Sequence, residues 1–288
     1  MIVKLYSPDC DHNCAGCASA NPDGSCGASS GGIAKCEPNK STKIKKMIGV
    51  VSGKGGVGKS FVTSLLASYL TKANKKVGIL DGDIVGPSIP KVFNIHKAAY
   101  GNEDRLIVPA ETYSGIKVIS TNMMLEHEDD PIIWRGSLVS SLLKQFYTDV
   151  AWGELDVLLI DMPPGTSDVT LTAFQSLPLD SIVIVTSPQD LVSLIVKKAI
   201  NMAKMMSIPI LGVVENMSYV LCPKCGEKIS IYGKSKLDSF AKETELKALA
   251  KLPIKEGVAE LVDSGNIEQV DMNEIQPVID EILKLLGE

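Results

Sequence analysis

Short apolar runs alternate with segments of helical periodicity along most of the chain. Unbroken runs of this kind, with β-branched residues common, suit parallel strands buried on both faces. Apolar stripes at helical spacing predict helices between them. The alternation predicts an α/β fold with a doubly wound, mostly parallel sheet, and ligands then bind at the carboxyl ends of the strands. The predicted strands are Met47–Ser52, Val77–Asp81, Ile116–Ser120, Val157–Asp161, Ser181–Thr186 and Ile208–Glu215, and the predicted helices are Phe61–Lys72, Leu138–Phe146, Leu191–Met206 and Ile275–Leu286.

The first 45 residues lack this pattern. They carry five of the seven cysteines among glycine, serine, asparagine and aspartate, with neither a helical nor an alternating period. Such a segment cannot bury a core by itself. We therefore predict a cysteine-rich, irregular amino-terminal extension and linker over residues 1–45, followed by the α/β domain over residues 46–288.

Composition and charge narrow the function classes. The net charge of −5 offers no electrostatic footprint for nucleic acid. No apolar run reaches transmembrane length, and Met1–Pro8 lacks the apolar core of a signal peptide. The sequence predicts a cytoplasmic protein without nucleic-acid or membrane partners. Because structural disulfides are rare in the cytoplasm, the clustered cysteines suggest metal or cluster ligation.

A glycine-rich stretch between the first predicted strand and helix matches the phosphate-binding pattern G-x-x-x-x-G-K-[ST]. Glycines allow backbone N–H groups to surround phosphate oxygens, and the following helix directs its positive end at the same anion. Lys59 can reach the β- and γ-phosphates, and the Ser60 hydroxyl can ligate Mg²⁺. The predicted nucleotide and Mg²⁺ contacts in this loop are Gly53, Gly55, Gly56, Val57, Gly58, Lys59 and Ser60.

Acidic residues at two strand ends extend this site. Asp161 ends an apolar strand, as in a Walker B element, and its carboxylate can hold a water of the Mg²⁺ shell. Gly165, four residues later, could present its N–H to the γ-phosphate, as switch loops do. Asp81 and Asp83 close the other side, where a second carboxylate could orient the attacking water. Phosphoryl transfer needs positioning and charge stabilisation more than covalent chemistry, so this set predicts hydrolysis.

Lys54 departs from an ordinary phosphate-binding loop. It precedes Gly55 and lies too early to duplicate the role of Lys59. With this lysine, the stretch Lys54–Ser60 resembles the deviant Walker A ATPases, the MinD/ParA and nitrogenase-iron-protein class, whose motif is K-G-G-x-G-K-[ST]. The resemblance implies that Lys54 reaches across a dimer to the partner's phosphates and helps to stabilise the transition state.

The second cysteine group is Cys222-Pro223-Lys224-Cys225. Two thiolates cannot fill four coordination positions, and no other His or Cys lies nearby in the sequence. A two-fold axis would supply the missing pair from a second copy, which makes a four-cysteine site bridging a dimer the economical interpretation. A redox dithiol and a bridging Zn²⁺ are the alternatives, because thiolates accept either metal.

The motifs together resemble the Mrp/ApbC-type iron–sulfur cluster carriers over the chain from about Met47 onward. The resemblance implies a slow, homodimeric ATPase that holds a labile [4Fe–4S] cluster between subunits and delivers it to apo-proteins. It also implies that Asp83 orients the attacking water and that Asn216 contacts the adenine. The alternatives are an ATP-gated reductase like the nitrogenase iron protein and a MinD/ParA-type positioning ATPase with a zinc site. The segments that carry the resemblance are Lys54–Ser60, Asp81–Ser88, Asp161–Asp168, Glu215–Ser218 and Cys222–Cys225.

The amino-terminal cysteines form a third candidate site. Cys10, Cys14, Cys17 and Cys26, spaced C-x3-C-x2-C-x8-C, could enclose a [4Fe–4S] cluster. This resembles the extra amino-terminal motif of NBP-type carriers, although the spacing differs from that motif. Cys36 could replace Cys10 or Cys26, His12 is a further candidate ligand, and a structural zinc knuckle is the alternative.

Overall fold

An eight-stranded sheet forms the centre of the described chain. The structure is a computed structural model and describes residues 35–84, 86–96, 98–125, 137–189 and 194–288. The strands of these residues are β1 (Lys43–Ser52), β2 (Val77–Asp81), β3 (Tyr100–Gly101), β4 (Ile107–Val108), β5 (Ala110–Glu111), β6 (Lys117–Ile119), β7 (Glu154–Asp161), β8 (Ser181–Thr186), β9 (Ile210–Glu215), β10 (Val220–Leu221), β11 (Lys228–Ile229) and β12 (Ala248–Lys251). The α-helices are α1 (Lys59–Lys72), α2 (Ile89–Val92), α3 (Ser137–Thr148), α4 (Asp168–Ser176), α5 (Leu194–Met205), α6 (Leu237–Thr244), α7 (Val258–Asp263) and α8 (Gln276–Leu286).

The strand order of the sheet is β12-β9-β8-β1-β7-β2-β6-β5. All neighbouring pairs are parallel except β5 and β6, which are antiparallel. Strands β2 and β8 are buried along their whole length, as expected for parallel strands covered on both faces. The predicted fold class, a doubly wound and mostly parallel sheet, is confirmed.

Two apolar layers cover the faces of the sheet. Along β1, Ile48 and Val50 belong to the layer formed with α1 and α8. Met47 and Val51 belong to the opposite layer, formed with α3, α4 and α5. This alternation follows from the two-residue period of a strand. Because α1 packs directly on β2 and β7, its amino terminus is fixed at the carboxyl edge of the sheet.

The structure corrects several predicted boundaries. Strand β1 begins at Lys43, so residues 43–45, which were predicted to belong to the linker, already pair with β7. Their charges are compatible with a strand end because Lys45 pairs with Asp156 at 2.7 Å at the surface. Helix α4, helix α6 and strand β12 were not predicted, and neither was the hairpin of β10 and β11. Cys10, Cys14, Cys17 and Cys26 lie outside the described residues, so their ligand role stays a prediction.

Candidate nucleotide site and cysteine hairpin

The glycine-rich loop joins the carboxyl end of β1 to the amino end of α1, as predicted. Gly58 caps α1 in the left-handed conformation, with φ of 81°, and Gly56 has φ of 80°. Both conformations favour glycine, which has no Cβ to collide with the backbone. Loop residues, among them Lys54 and Ser60, line a cavity of about 220 Å³. Asp83 and Pro164 line the same cavity from outside the loop. The backbone N–H groups at the start of α1 therefore lie beside an open space at the carboxyl edge.

The Asp161 carboxylate accepts hydrogen bonds from three side chains of this site. Its Oδ2 accepts hydrogen bonds from Lys59 Nζ at 2.7 Å and from Ser60 Oγ at 2.6 Å. Its Oδ1 accepts from Thr63 Oγ1 at 2.6 Å. Asp161 is fully buried and Lys59 nearly so, and their opposite charges compensate each other. Thr63 was not predicted, although its position four residues after Lys59 places both on one helix face.

The oxygen atoms of this cluster suit a hard cation. A carboxylate and a hydroxyl group are the ligand types that Mg²⁺ prefers, and Mg²⁺ keeps several waters when bound in this way. Asp161 and Ser60 already touch each other, so one ion could be served by both side chains. The residues present therefore fit the predicted Mg²⁺ site.

Asp81 is fully buried beside this cluster. Its Oδ2 accepts from Ser120 Oγ at 3.0 Å, and its Oδ1 accepts from the backbone N–H of Asp83 at 3.2 Å. Burial, together with the charge of Asp161, raises the pKa of Asp81 to about 7, although Lys59 acts in the opposite direction. Asp81 thus fixes the backbone of Asp83 through a hydrogen bond. Its contact with Ser120 was not predicted.

Asp83 lies at the mouth of the loop cavity and is only partly buried. Burial raises its pKa, with Lys59 lowering it and Asp161 raising it further. A carboxylate in this place is within the site and yet open to solvent, as a group that orients water requires. Its predicted catalytic role stays a prediction.

Gly165 and Lys54 are both hydrogen-bonded to Ser52, at the start of the loop. The N–H of Gly165 donates to the Ser52 carbonyl at 2.8 Å, so the predicted contact with a γ-phosphate requires this hydrogen bond to open. Lys54 is exposed, and its carbonyl accepts from Ser52 Oγ at 3.0 Å. Its exposure is compatible with the predicted reach toward a second subunit.

Asn216 lies against the loop, at 4% exposure. Its Nδ2 donates to the Val57 carbonyl at 3.0 Å, and its backbone N–H donates to the Thr186 carbonyl at 2.8 Å. A Cβ on Gly58 would lie 2.2 Å from the same Nδ2. The structure thus gives Asn216 a contact with the phosphate loop that sequence reasoning missed, while its adenine contact stays a prediction.

Cys222 and Cys225 lie on a hairpin formed by β10 and β11. The turn is closed by hydrogen bonds from Cys222 N–H to the Glu227 carbonyl and from Gly226 N–H to the Cys222 carbonyl, both at 2.9 Å. Cys225 is exposed and Cys222 is partly exposed. The backbone N–H groups of Cys225 and Lys224 lower the pKa of the Cys222 thiol. Across the described ranges no third His, Cys, Asp or Glu completes a metal-binding group around this pair, so its role as half of a four-ligand site stays a prediction.

Comparison with known families identifies the chain. A family model described as NUBPL iron-transfer P-loop NTPase matches residues 43–286. The chain belongs to this family. As a NUBPL-type P-loop NTPase it is a nucleotide-binding protein, and nucleotide hydrolysis is the general activity of the class. Within the residues that the structure describes, no helix is long and apolar enough to cross a membrane.

Relatives of this NUBPL-type protein carry a consistent name. The iron–sulfur cluster carrier protein of Clostridium perfringens is 48% identical over 260 residues, which cover 88% of this chain and 90% of the relative. That of Methanocaldococcus jannaschii is 45% identical over 260 residues, with 89% of each chain covered. The resemblance to the cluster carriers is therefore confirmed.

Solved structures share the fold of this chain. The nucleotide-binding protein of Archaeoglobus fulgidus, in complex with ADP, matches with a TM-score of 0.72 and 41% identity over 79% of this chain and 89% of that one. The cell division ATPase MinD of Pyrococcus furiosus matches with a TM-score of 0.60 and 20% identity, covering 84% of this chain and 99% of that one. The similarity to MinD is one of fold.

Proposed function

We propose that this NUBPL-type protein is a slow ATPase that holds a labile [4Fe–4S] cluster between the subunits of a homodimer. It delivers the cluster to apo iron–sulfur proteins in the cytoplasm. The observation that carries the proposal is the exposed hairpin, whose two cysteines supply half of the thiolates that such a cluster needs. The names of the close relatives support the same cargo.

The nucleotide site supports hydrolysis of ATP. Lys59, which contacts Asp161 at 2.7 Å, would turn toward the β- and γ-phosphates when ATP enters. Ser60 and Asp161 would hold Mg²⁺, which neutralises the charge that develops on the phosphates. Asp83 orients the attacking water, and Lys54 of a second copy adds a positive charge at the transition state.

The cysteine hairpin supports transfer rather than storage of the cluster. Because Cys225 is exposed and Cys222 is only partly covered, the thiolates of an acceptor can approach the cluster from solvent. Transfer is then an exchange of thiolate ligands, in which iron keeps its oxidation state. The hairpin and the turn that follows it also present exposed apolar side chains: Leu221 and Ile229 on the hairpin, and Ile231 and Tyr232 after it.

The amino-terminal cysteines are assigned a second site. We propose that Cys10, Cys14, Cys17 and Cys26 bind a second [4Fe–4S] cluster, with a structural zinc ion as the alternative. This site is separable from the bridging one because its ligands come from a different part of the chain. Removing the hairpin cysteines should therefore leave its metal in place.

The proposal is tested by reconstitution with iron and sulfide without oxygen. Iron and labile sulfide are counted per dimer in the wild type, in Cys222→Ala/Cys225→Ala and in Lys224→Ala, which keeps both thiols on the same hairpin. We expect the double variant to lose about four iron atoms per dimer and the control to lose none. Equal iron in all three would rule out the bridging site. Activation of an apo-enzyme without net electron transfer then distinguishes a carrier from an ATP-gated reductase.

A further inference from the structure

A single segment connects the nucleotide loop to the cysteine hairpin. Asn216 contacts the loop, and Cys222 follows it by six positions. Six residues of fully extended chain span at most about 20 Å, so a displacement at Asn216 has a short covalent path to the hairpin. The path runs from the end of β9 through a tight corner at Glu215–Ser218 into β10.

The nucleotide end of this segment is in close contact with the loop. Asn216 Nδ2 donates to the Val57 carbonyl, and the same nitrogen lies 2.2 Å from the position that a Cβ on Gly58 would take. Val57 and Gly58 belong to the backbone that would surround the phosphates. A shift of this backbone on nucleotide binding must therefore move Asn216 or break its hydrogen bond.

The corner after Asn216 is stiff. Met217 has φ of 56°, in the left-handed region that non-glycine residues seldom adopt. Ser218 Oγ donates to Glu215 Oε1 at 2.5 Å, which ties the two ends of the corner together. Glu215 is fully buried, and its Oε2 has no hydrogen-bond partner in the part of the chain that the structure describes. The Ser218 hydroxyl is thus the side-chain donor that holds this carboxyl group in place.

Backbone hydrogen bonds tie the stretch before the hairpin to a neighbouring segment. The N–H of Ser218 donates to the Leu252 carbonyl at 2.8 Å, and the N–H of Ile254 donates to the Tyr219 carbonyl at 2.8 Å. Val220 then pairs with Ile254 in a parallel bridge and begins β10. Because Ser218, Tyr219 and Val220 are each bonded to the segment around Leu252 and Ile254, a movement of the corner has a short, hydrogen-bonded route to Cys222.

We propose that Glu215 and Ser218 are positioning residues that couple the nucleotide state to the exposure of the cluster. This inference rests on the proposed function as a cluster carrier. Nucleotide binding shifts the Val57–Asn216 contact, and the corner carries the shift into the Cys222 hairpin. Thermodynamic linkage adds a reverse effect on binding: if nucleotide changes the affinity for the cluster, a bound cluster changes the affinity for nucleotide by the same factor.

The test uses the full-length, cluster-loaded protein with an apo [4Fe–4S] ferredoxin as acceptor. Cluster transfer is followed by visible circular dichroism without nucleotide, with MgADP and with MgATP. For the wild type we expect nucleotide to change the transfer rate about fivefold or more. For Ser218→Ala we expect the change to fall below about twofold, with cluster content and ATP hydrolysis near the wild-type level. Ser264→Ala is the control, because it removes an exposed serine hydroxyl on another element.

A second variant tests the same coupling if Ser218→Ala does not fold. Met217→Gly keeps the left-handed conformation accessible but removes its stiffness, so it should also lower the response to nucleotide. A wild-type response in both variants, or a wild-type protein indifferent to nucleotide, overturns the coupling while leaving the carrier function intact. A wild-type protein that binds no cluster overturns the proposed function itself. Binding of a fluorescent ATP analogue to loaded and empty protein checks the reverse effect.

Discussion

Asp81 and Asp161 lie opposite each other at the carboxyl ends of the adjacent parallel strands β2 and β7. Both side chains are fully buried. Asp161 has the ammonium group of Lys59 at 2.7 Å, whereas Asp81 accepts hydrogen bonds only from neutral groups among the described contacts. Two like charges in one buried site disfavour each other, and the less well paired carboxyl group takes up the proton.

Asp81→Asn should change how stability depends on pH. The Asp81 carboxyl has a folded pKa of about 7 against an ordinary value of 3.8, so between these values the folded state binds the extra proton. The free energy of unfolding of the wild type therefore falls as pH rises from about 4 to 7 and stays lowered above that. The variant has no titrating group at this position. We therefore expect its free energy of unfolding, relative to that of the wild type, to rise by roughly 2–4 kcal/mol from pH 4 to pH 8. Urea unfolding of nucleotide-free protein at several pH values measures it.

Asp156→Asn is the matched control, because its effect on the free energy of unfolding should change with pH in the opposite direction. Burial alone would raise the pKa of Asp156, but hydrogen bonds from Lys45 and from the Lys76 N–H lower it below its ordinary value. Its contribution to stability is present at neutral pH and is lost as pH falls through the folded pKa. The control should therefore lose stability relative to the wild type as pH rises. Parallel pH curves for Asp81→Asn and the wild type would contradict the burial argument.

Lys59→Ala should abolish ATP turnover and also destabilise the fold. Removing Lys59 leaves Asp161 buried without its cationic partner, which typically costs about 3 kcal/mol or more. Lys45→Ala removes an exposed ion pair of the same length and should cost much less, because solvent screens that pair. Urea unfolding and phosphate release are measured on both variants. Equal losses of stability would show that Ser60 and Thr63 alone support the Asp161 carboxylate.

The sequence predicted best the elements whose burial is uniform. Strands β2 and β8 have the predicted bounds because strands covered on both faces read as unbroken apolar runs. Strand β12 was missed, since Ala248–Lys251 is short and contains no β-branched residue. The hairpin strands have two residues each, and no periodicity can be read from so short a segment.

The chemistry of the site was predicted from motifs, but its side-chain contacts were not. Lys59 and Asp161 belong to known patterns, so their proximity followed from the fold. Thr63 and Ser120 belong to no motif, and their contacts with the two aspartates depend on how α1 and β6 pack on the sheet. The contact of Asn216 with the loop depends in the same way on the turn after β9. Such contacts join residues far apart in sequence, which local patterns do not record.

Gly58→Ala should be far more damaging than Gly56→Ala. Both glycines have φ near 80°, so an alanine at either position pays a similar backbone cost of about 1 kcal/mol. A Cβ at Gly56 meets nothing within 4 Å, whereas one at Gly58 lies 2.2 Å from Asn216 Nδ2. We expect the extra overlap to cost about 1–3 kcal/mol more and to weaken nucleotide binding. Thermal unfolding and ATP titration of the two variants isolate this contact, and equal effects would show that Asn216 moves away freely.

Complementation between two inactive variants tests whether Lys54 acts on the partner's nucleotide. In a mixed dimer of Lys54→Ala and Lys59→Ala, the Lys54→Ala subunit keeps an intact Lys59 and receives Lys54 from its partner. That site is then complete, while the other has no Lys59. Random mixing makes half of the dimers mixed, with one complete site in two, so about a quarter of wild-type ATPase activity should return.

The same mixture separates action within a subunit from action across the interface. If Lys54 served the loop of its own subunit, neither site of the mixed dimer would be complete, and the mixture would be as inactive as its parents. Mixing Lys59→Ala with Asp161→Ala is the control. Lys59 Nζ and Asp161 Oδ2 lie 2.7 Å apart within one subunit, so neither subunit of this mixed dimer has a complete nucleotide site. Activity in the first mixture and none in the control would make the exposed Lys54 part of a shared active site. Such a site forms only in the dimer, so the ATPase activity of the wild type should also fall steeply on dilution below the dimer dissociation constant.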